Sequence, residues 1–157
     1  MSEIKNPFDT DKERRQIWEM LVRRDISAFV ASDWAMVADD FIEEGFIGLH
    51  AHKSENPDDW TLAFPALKDY KAEWLRQAAD SAATQYSEPL GAAIHRATTL
   101  TDIRITGAAA VAHKKFDGTV RKSDGTLDTL NWQTLYFCRH NAGRWKIAGF
   151  VGYMAYR

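Results

Sequence analysis

Cysteine is nearly absent from this 157-residue sequence, which contains only Cys138. A single cysteine excludes an internal disulfide and a cysteine-based metal cluster. Because Cys138 lies within an apolar run, we predict a buried and unreactive thiol. The sequence also has no Gly-rich phosphate loop, no nucleophile elbow and no His-Glu-x-x-His helix. We therefore expect no metal and no cofactor, and any chemistry should be cofactor-independent.

The sequence also has no large excess of positive or negative charge and no long apolar run. The formal net charge is -2 and the pI is near 6.2, which does not provide the positive field that nucleic-acid binding needs. No stretch approaches the length of a membrane span, and the N-terminus MSEIKNPFDTDKERR lacks the apolar core of a signal peptide. The sequence predicts a cytoplasmic protein with neither nucleic-acid nor membrane partners.

What is present is an ordinary globular composition with many large rings. Hydrophobic residues make up 45% and charged residues 27%, and the length fits one domain, 1–157, with 1–9 as a flexible tail. Six tryptophans bring the aromatic fraction to 12%. Because large rings line cavities and interfaces as readily as cores, this abundance indicates a pocket, an interface or both.

Helical spacing dominates the first half of the chain. Thr10 and Glu13 have the T-x-x-E spacing of a capping box, which predicts the start of a first helix. Apolar residues then recur at helical intervals over 17–29. Asp33 can cap a second, shorter helix that begins at Trp34.

A short strand over 46–51 is followed by a long polar loop, 52–64, which carries Trp60. Pro65 is suited to the first turn of a third helix, whose apolar face includes Trp74.

The apolar period changes from helical to two in the second half. Four long antiparallel strands are predicted, over 92–106, 108–116, 127–140 and 144–156. The Asp117-Gly118 and Asp124-Gly125 pairs bracket an exposed connection between the second and third of them. Helices followed by strands, without βαβ alternation, indicate an α+β fold with N-terminal helices packed on a curved antiparallel sheet.

Both faces of this sheet carry apolar residues. On the third long strand, Leu135 and Phe137 lie opposite a face made by Trp132, Thr134, Tyr136 and Cys138. On the fourth, we expect Trp145, Ile147 and Val151 to oppose Ala148, Phe150 and Met154. The helices can cover one face only. The sequence therefore predicts a homodimer that covers the outer sheet face.

Three stretches resemble a known superfamily: residues 34–41 (WAMVADDF), 132–137 (WQTLYF) and 143–148 (GRWKIA). With the order of elements, they are similar to nuclear transport factor 2-like proteins, including the polyketide-cyclase-like (SnoaL-like) branch. The resemblance covers about residues 12–156. It implies a cone-shaped, cystatin-like α+β barrel with a central pocket, and dimerisation through the outer sheet face. Relatives include isomerases, dehydratases, epoxide hydrolases, polyketide cyclases and purely binding domains, so the fold does not choose a function.

Histidines are the first candidates for acid–base chemistry. By the alternation of side chains along a strand, His95 on the first predicted long strand lies on the same face as inward-facing isoleucines. On the next strand, His113 lies on the same face as Val111. Such a pair could act as base and acid on a small substrate, with Asp40 near the pocket mouth. The alternative is two half-exposed sheet histidines, because a bulge would reverse the parity.

The isomerase and dehydratase branches fit this sequence only in part. Counting from Ala38-Asp39-Asp40, the carboxylate that the resemblance to the isomerase branch implies falls on Gly45, with Glu44 beside it. The Tyr, Asp and His set of the dehydratase branch cannot be matched residue by residue.

Ligand-pocket candidates are mostly rings: Trp60, Trp74, Trp132 and Tyr136, with His50 at the strand-to-loop junction. Core packing and, for His50, a solvated loop end are the alternative interpretations. We hypothesise a homodimeric small-molecule-binding domain, or a cofactor-independent lyase, isomerase or hydrolase, for an apolar cyclic or carbonyl compound. The rival hypothesis is a non-catalytic binding or assembly module.

Overall fold

The computed structural model describes residues 4–156 of the chain. Its helical elements, in chain order, are α1 (Lys12–Trp18), a π-helical segment (Glu19–Arg24), α2 (Asp25–Ala31), the 3₁₀ turns Trp34–Met36, Ala38–Asp40 and Pro57–Asp59, α3 (Leu67–Ala83) and α4 (Leu90–Ala97). Its strands are β1 (Ile47–His50), β2 (Thr61–Phe64), β3 (Thr98–Thr106), β4 (Ala109–Arg121), β5 (Leu127–Asn141) and β6 (Arg144–Met154).

The first helical rod begins one residue later than its sequence signal indicates. The N-cap is Asp11, whose side chain accepts a hydrogen bond from the Arg14 backbone N–H. The capping box predicted at Thr10 and Glu13 is therefore wrong, because the neighbouring Asp11 is itself a strong cap. The rod runs through α1, the π segment and α2, and ends where Ser32 adopts a left-handed conformation with φ of 53°. The second predicted helix is replaced by two 3₁₀ turns, the first capped by the Asp33 side chain.

The strand predicted over 92–106 is half wrong. Residues 90–97 form α4, and only 98–106 form β3. Ala93, Ile94 and Ala97 are buried at the spacing of one helical face, and this local helical pattern decides the structure. The predicted break at Asp117-Gly118 is also wrong, because β4 continues through both residues while pairing with β5.

All six strands belong to one sheet, in the order β2-β1-β6-β5-β4-β3. β1 pairs with β6 in parallel, whereas the other neighbours are antiparallel. The α+β class is confirmed, but the sheet is mixed rather than purely antiparallel, and it has free edges at β2 and β3 rather than closing into a barrel. Neither the 17-residue α3 nor any other described helix combines the length and apolar composition needed to cross a bilayer.

The face that each residue of β5 presents is as predicted, while that of β6 is reversed over part of its length. The β5–β6 register shifts between Phe137 and Cys138. After this shift Phe150 lies opposite Tyr136, and Val151 lies opposite Leu135. The prediction that Val151 shares the face of Trp145 is wrong, because an extra residue in one strand exchanges the two faces beyond it.

The core lies between the helices and the inner face of the sheet. Its centre is a group of aromatic rings in edge and stacked contacts, formed by Phe29, Trp34, Phe41, Phe46, Tyr70, Trp74 and Phe150. One stacked pair in this group joins Trp34 to Phe41, with ring centroids 5.1 Å apart. These rings fix α3 against the sheet and leave open space beside them.

Candidate functional site

A cavity of about 410 Å³ separates α2, α3 and α4 from the inner face of β4, β5 and β6. Its wall contains nine aromatic side chains: Phe29, Tyr70, Trp74, Tyr86, Phe116, Trp132, Tyr136, Phe150 and Tyr153. Ile26, Leu90, Ile94, Val120 and Leu130 add aliphatic surface. This size and lining are typical of sites for small organic molecules.

The more exposed end of the cavity is bounded by a polar cluster. The Tyr86 hydroxyl donates to an Asp128 carboxylate oxygen at 2.7 Å, and Lys122 Nζ lies 2.9 Å from the other oxygen. Burial raises the pKa of Tyr86, and its bond to Asp128 raises it further. For Asp128 burial acts upward, but the hydrogen bonds from Tyr86 and Lys122 outweigh it and lower the pKa. The cluster therefore stays a phenol, a carboxylate and an ammonium at neutral pH.

An ion pair lies at the opposite end, which we call the closed end because burial raises the pKa values of its phenols, Tyr70 and Tyr136, most strongly. Lys114 is fully buried, and its Nζ donates to the Leu21 carbonyl oxygen at 2.5 Å and to Asp25 Oδ2 at 3.3 Å. Trp74 Nε1 donates to Asp25 Oδ1 at 3.4 Å. The Asp25 side chain nevertheless keeps 31% of its surface accessible and lines the cavity. A ligand in the cavity can thus reach the carboxylate but not the lysine.

The backbone around this ion pair is unusual. Leu21 belongs to the π-helical segment Glu19–Arg24, and Asp25 is the first residue after it. The Lys114 ammonium bonds to a carbonyl inside this wider turn. Single-turn π segments within α-helices often occur at functional sites, because they change the direction of the side chains that follow. Here the side chain that follows is the cavity carboxylate.

Three tyrosines supply hydroxyl groups in the cavity wall. Burial raises the pKa of Tyr70 and of Tyr136 well above the ordinary value for a phenol, and nearby Asp25 raises both further. Burial also raises the pKa of Tyr153, whose hydroxyl accepts a hydrogen bond from Gln77 Nε2 at 2.7 Å. All three remain neutral at physiological pH and keep a hydroxyl proton that can be donated.

Three of the rings predicted from sequence to form a pocket wall, Trp74, Trp132 and Tyr136, do line this cavity. Trp60 does not; it lies in the loop before β2, where its Nε1 donates to the Ser54 carbonyl. His50 lies behind the wall rather than in it. Its ring stacks on His52 and Tyr153 at centroid distances of 4.1 and 4.3 Å, and burial, with His52 beside it, lowers its pKa.

The three side chains predicted to be catalytic are not brought together. Asp40 is buried outside the cavity lining, where it accepts two hydrogen bonds from Arg24, at 2.8 and 2.9 Å, and another from Arg144. The prediction that it lies near the pocket mouth is wrong. It joins the helical rod to the start of β6, because a buried carboxylate requires charged partners of this kind.

Both predicted histidines are also misplaced. His95 lies on α4 rather than on a strand, so the argument from strand parity does not apply to it. His113 lies on β4 beside Val111, but that face is the outer one, since Ala112 and Lys114 are the buried neighbours. Its Nε2 donates to Gln133 Oε1 at 2.6 Å. The sheet therefore separates His113 from the cavity.

The cavity carboxylate and its lysine, Asp25 and Lys114, were missed by sequence reasoning although signals for both are present. Asp25 follows Leu21 by four residues and precedes Ala28 by three, so it lies within the apolar face of the helix. Lys114 alternates with Ala112 and Phe116, whose side chains face inward. A charge at the centre of an apolar face is rarely buried without a partner, so each of these residues indicates a partner of opposite charge.

The single cysteine has a structural role. Cys138 is buried, and burial raises the pKa of its thiol to about 12, which makes it unreactive, as predicted. Within residues 4–156, no group of three or more His, Cys, Asp or Glu side chains could hold a metal ion.

Comparison with known proteins supports the fold. No protein-family model matches the sequence, and the curated proteins contain no match. Among solved structures, a nuclear transport factor 2-like superfamily protein from Salmonella enterica is 14% identical, with 94% of each chain covered and a TM-score of 0.59. A Nostoc punctiforme domain of unknown function with a cystatin-like fold is 16% identical over 91% of this chain and 77% of that one, with a TM-score of 0.57.

A third similar structure is a proposed aromatic ring hydroxylase from Novosphingobium aromaticivorans. It is 15% identical over 93% of this chain and 91% of that one, with a TM-score of 0.56. At these identities the likeness concerns the fold. The chain has the nuclear transport factor 2-like fold, with its cavity between the helices and the inner face of the sheet.

Proposed function

We propose that this protein binds a small apolar cyclic or carbonyl compound in the cavity and acts on it as a cofactor-independent lyase, isomerase or hydrolase. The observation that carries the proposal is the accessible carboxylate of Asp25 at the closed end of a ring-lined cavity. Nine rings supply apolar contact area, while few polar groups converge on the closed end. This combination is the usual composition of a ligand site.

The closed end has the groups that acid–base chemistry requires. Asp25 is oriented by Lys114 and Trp74, so its remaining lone pairs can accept a proton from a bound molecule. Tyr70 and Tyr136 stay protonated and can donate to an oxygen on which negative charge develops. We therefore assign the acid–base role to Asp25 in preference to His95, Asp40 and His113.

The aromatic lining favours a ring-containing ligand. The Novosphingobium neighbour, a proposed aromatic ring hydroxylase, supports this preference only through its shared fold.

We further propose that the protein forms a homodimer through the outer sheet face. Exposed apolar side chains on this face include Val111 and Phe137, which are opposite each other on β4 and β5, and Ile47 on β1. Contiguous apolar surface of this kind is unusual on a monomer. A dimer of this geometry leaves the cavity free, because the cavity opens on the other face of the sheet.

A matched pair of variants tests cavity binding. The fluorescent probe is N-phenyl-1-naphthylamine, which is apolar and uncharged at neutral pH. Leu130→Trp adds a ring inside the cavity, and Leu127→Trp adds the same ring at an exposed site on the same strand. We expect the wild-type protein and Leu127→Trp to bind the probe alike, and Leu130→Trp to bind it at least about tenfold more weakly. Equal binding by both variants, or no binding to the wild-type protein, contradicts the proposal.

A second experiment separates catalysis from binding alone. Cyclic ketones, lactones and epoxides that displace the probe are incubated with the wild-type protein and with Asp25→Asn, and their conversion is followed by NMR. Conversion by the wild-type protein alone supports the enzymatic role. Binding without conversion would leave the non-catalytic binding domain as the function.

A further inference from the structure

The charges that line the cavity all have one sign. Asp25, Asp80 and Asp128 line it, whereas its lining includes no lysine, arginine or histidine among the residues that the structure describes. Asp25 lies at the closed end, and the other two lie at the exposed end. A molecule entering the cavity therefore meets carboxylates at both ends and apolar rings between them.

The cations that balance these carboxylates lie behind them. Lys114 has no accessible surface, and it faces Asp25 and the Leu21 carbonyl. Lys122 contacts Asp128, and Arg76 contacts Asp80, both from outside the cavity lining. Asp25 Oδ1 and Oδ2 each accept one hydrogen bond from the protein. Since a carboxylate has about four acceptor positions, about two remain for a ligand.

The rings already accommodate one ammonium group. Lys114 Nζ lies 5.0 Å from the centroid of the Phe116 ring and 5.9 Å from that of Tyr136. These distances are within the range of cation–π attraction, which results from the negative potential of aromatic faces. Trp74 and Trp132 present further rings to the cavity, and indole is the strongest partner for a cation.

We propose that the cavity selects an organic cation, namely a protonated amine attached to an aromatic or alicyclic body. The ammonium group donates to the free acceptor positions of Asp25, and the body packs against the rings of the wall. At the exposed end each carboxylate is already paired with a cation, so the preference for a cation rests on Asp25 and the rings. The inference rests on the proposed function and specifies the ligand of the same cavity.

An isosteric series tests this preference with the unmodified protein. Tryptamine, tryptophol and indole-3-acetate share an indole body and carry a cation, a neutral hydroxyl and an anion at neutral pH. Each competes with bound N-phenyl-1-naphthylamine. We expect tryptamine to bind at least about tenfold more tightly than tryptophol, because its ammonium places a full positive charge beside the Asp25 carboxylate, whereas the hydroxyl of tryptophol donates a hydrogen bond without a charge. We expect indole-3-acetate to bind most weakly.

Variants then assign the preference to Asp25. Asp25→Asn should reduce tryptamine binding at least about tenfold and tryptophol binding by less, because only tryptamine loses an opposite charge, while Asp39→Asn, which removes an exposed carboxylate, should change neither. Because Asp25→Asn leaves Lys114 without its carboxylate, the double variant Asp25→Asn/Lys114→Met is made as well. It removes both charges, and it should bind the neutral probe normally without preferring the amine.

The outcomes distinguish this inference from the proposed function. If the probe binds but tryptophol or indole-3-acetate competes as well as tryptamine, the amine preference is overturned and the cavity site stands. If neither the probe nor any indole binds, both are overturned. An amine preference that persists in both Asp25 variants also contradicts the inference, because the cation would then be recognised elsewhere.

Discussion

The two faces of β4 invert the usual distribution of residues in a protein. On the inner face, Lys114 is 0% exposed, whereas on the outer face Val111 is 38% exposed. Charged side chains are almost never fully buried unless they are paired. Lys114 is paired, with a carboxylate that a cavity keeps accessible. Val111 lies opposite Phe137, whose ring is also exposed, so the outer face has apolar area that no element within residues 4–156 covers.

Each exception therefore indicates a different kind of partner. Core packing alone does not require the buried charge of Lys114, because an apolar side chain of similar size would fill the space without the free-energy cost of desolvating an ammonium group. The ligand that we propose for the cavity would account for it, because that ligand contacts Asp25. Exposed apolar residues gain nothing from contact with water, and the homodimer that we propose would cover them. Three substitutions, in order of decreasing effect, test this division between the faces.

The largest effect is expected from Lys114→Met. The substitution leaves the Leu21 carbonyl without this donor and removes the countercharge of Asp25. Breaking a buried pair by removing one partner costs about 3 kcal/mol of the free energy of unfolding, and less where the remaining charge is accessible. We expect a loss of about 2–3 kcal/mol in urea unfolding. Lys146→Met, on the outer face of β6 opposite Arg139, should change the stability by less than about 0.5 kcal/mol. Equal losses would mean that the inner face does not depend on its ion pair.

A second substitution tests the outer face. Phe137 and Met36 are 41% and 42% exposed, but only Phe137 lies on the sheet. Phe137→Asp should weaken a dimer by about thirtyfold or more, because a charge replaces a ring at an apolar contact. Met36→Asp should leave the association unchanged. Sedimentation equilibrium measures both, and a wild-type protein that is monomeric at micromolar concentration would refute the dimer.

Strand parity shows how far the sequence could predict the fold. On β5, the alternation of Trp132, Thr134 and Tyr136 with Leu135 and Phe137 is that of the structure, because the side-chain period of a strand is two. On β6 the same reasoning fails at the bulge opposite Phe137 and Cys138, because no residue type in the sequence indicates a bulge there. The parallel pairing of β1 with β6 joins residues more than a hundred positions apart, such as Ile47 and Gly149, and such a contact depends on the packing of the whole chain.

The candidate site was less predictable than the fold, for a different reason. The sequence favours histidine because its unperturbed pKa is suited to acid–base catalysis, but a side chain can act only where the fold places it. His113 fails because its parity belongs to the outer face, and His95 because its segment is helical. Asp25 and Lys114 could have been found from their places in apolar faces. Their contact could not, because 89 residues separate them.

The smallest expected effect comes from Cys138, whose thiol lies on the inner face. Its pKa is raised from 9.0 to about 12 by burial, so the folded protein retains the thiol proton at pH values where the unfolded chain has lost it. Stability is therefore complete below about pH 9 and decreases as the pH rises towards 12. Between pH 8 and pH 10, wild-type protein should lose about 1 kcal/mol more than Cys138→Ala.

The comparison between variants matters, because the raised pKa values of Tyr70 and Tyr136 add a pH dependence that both proteins share. Adding a cysteine at the exposed neighbouring position, as Arg139→Cys in the Cys138→Ala background, should not restore the wild-type dependence of stability on pH. A thiol on the outer face has nearly the same pKa in the folded and unfolded chain, so it contributes no linkage. If Arg139→Cys restored that pH dependence, burial on the inner face of β5 would not be the reason why stability depends on the thiol.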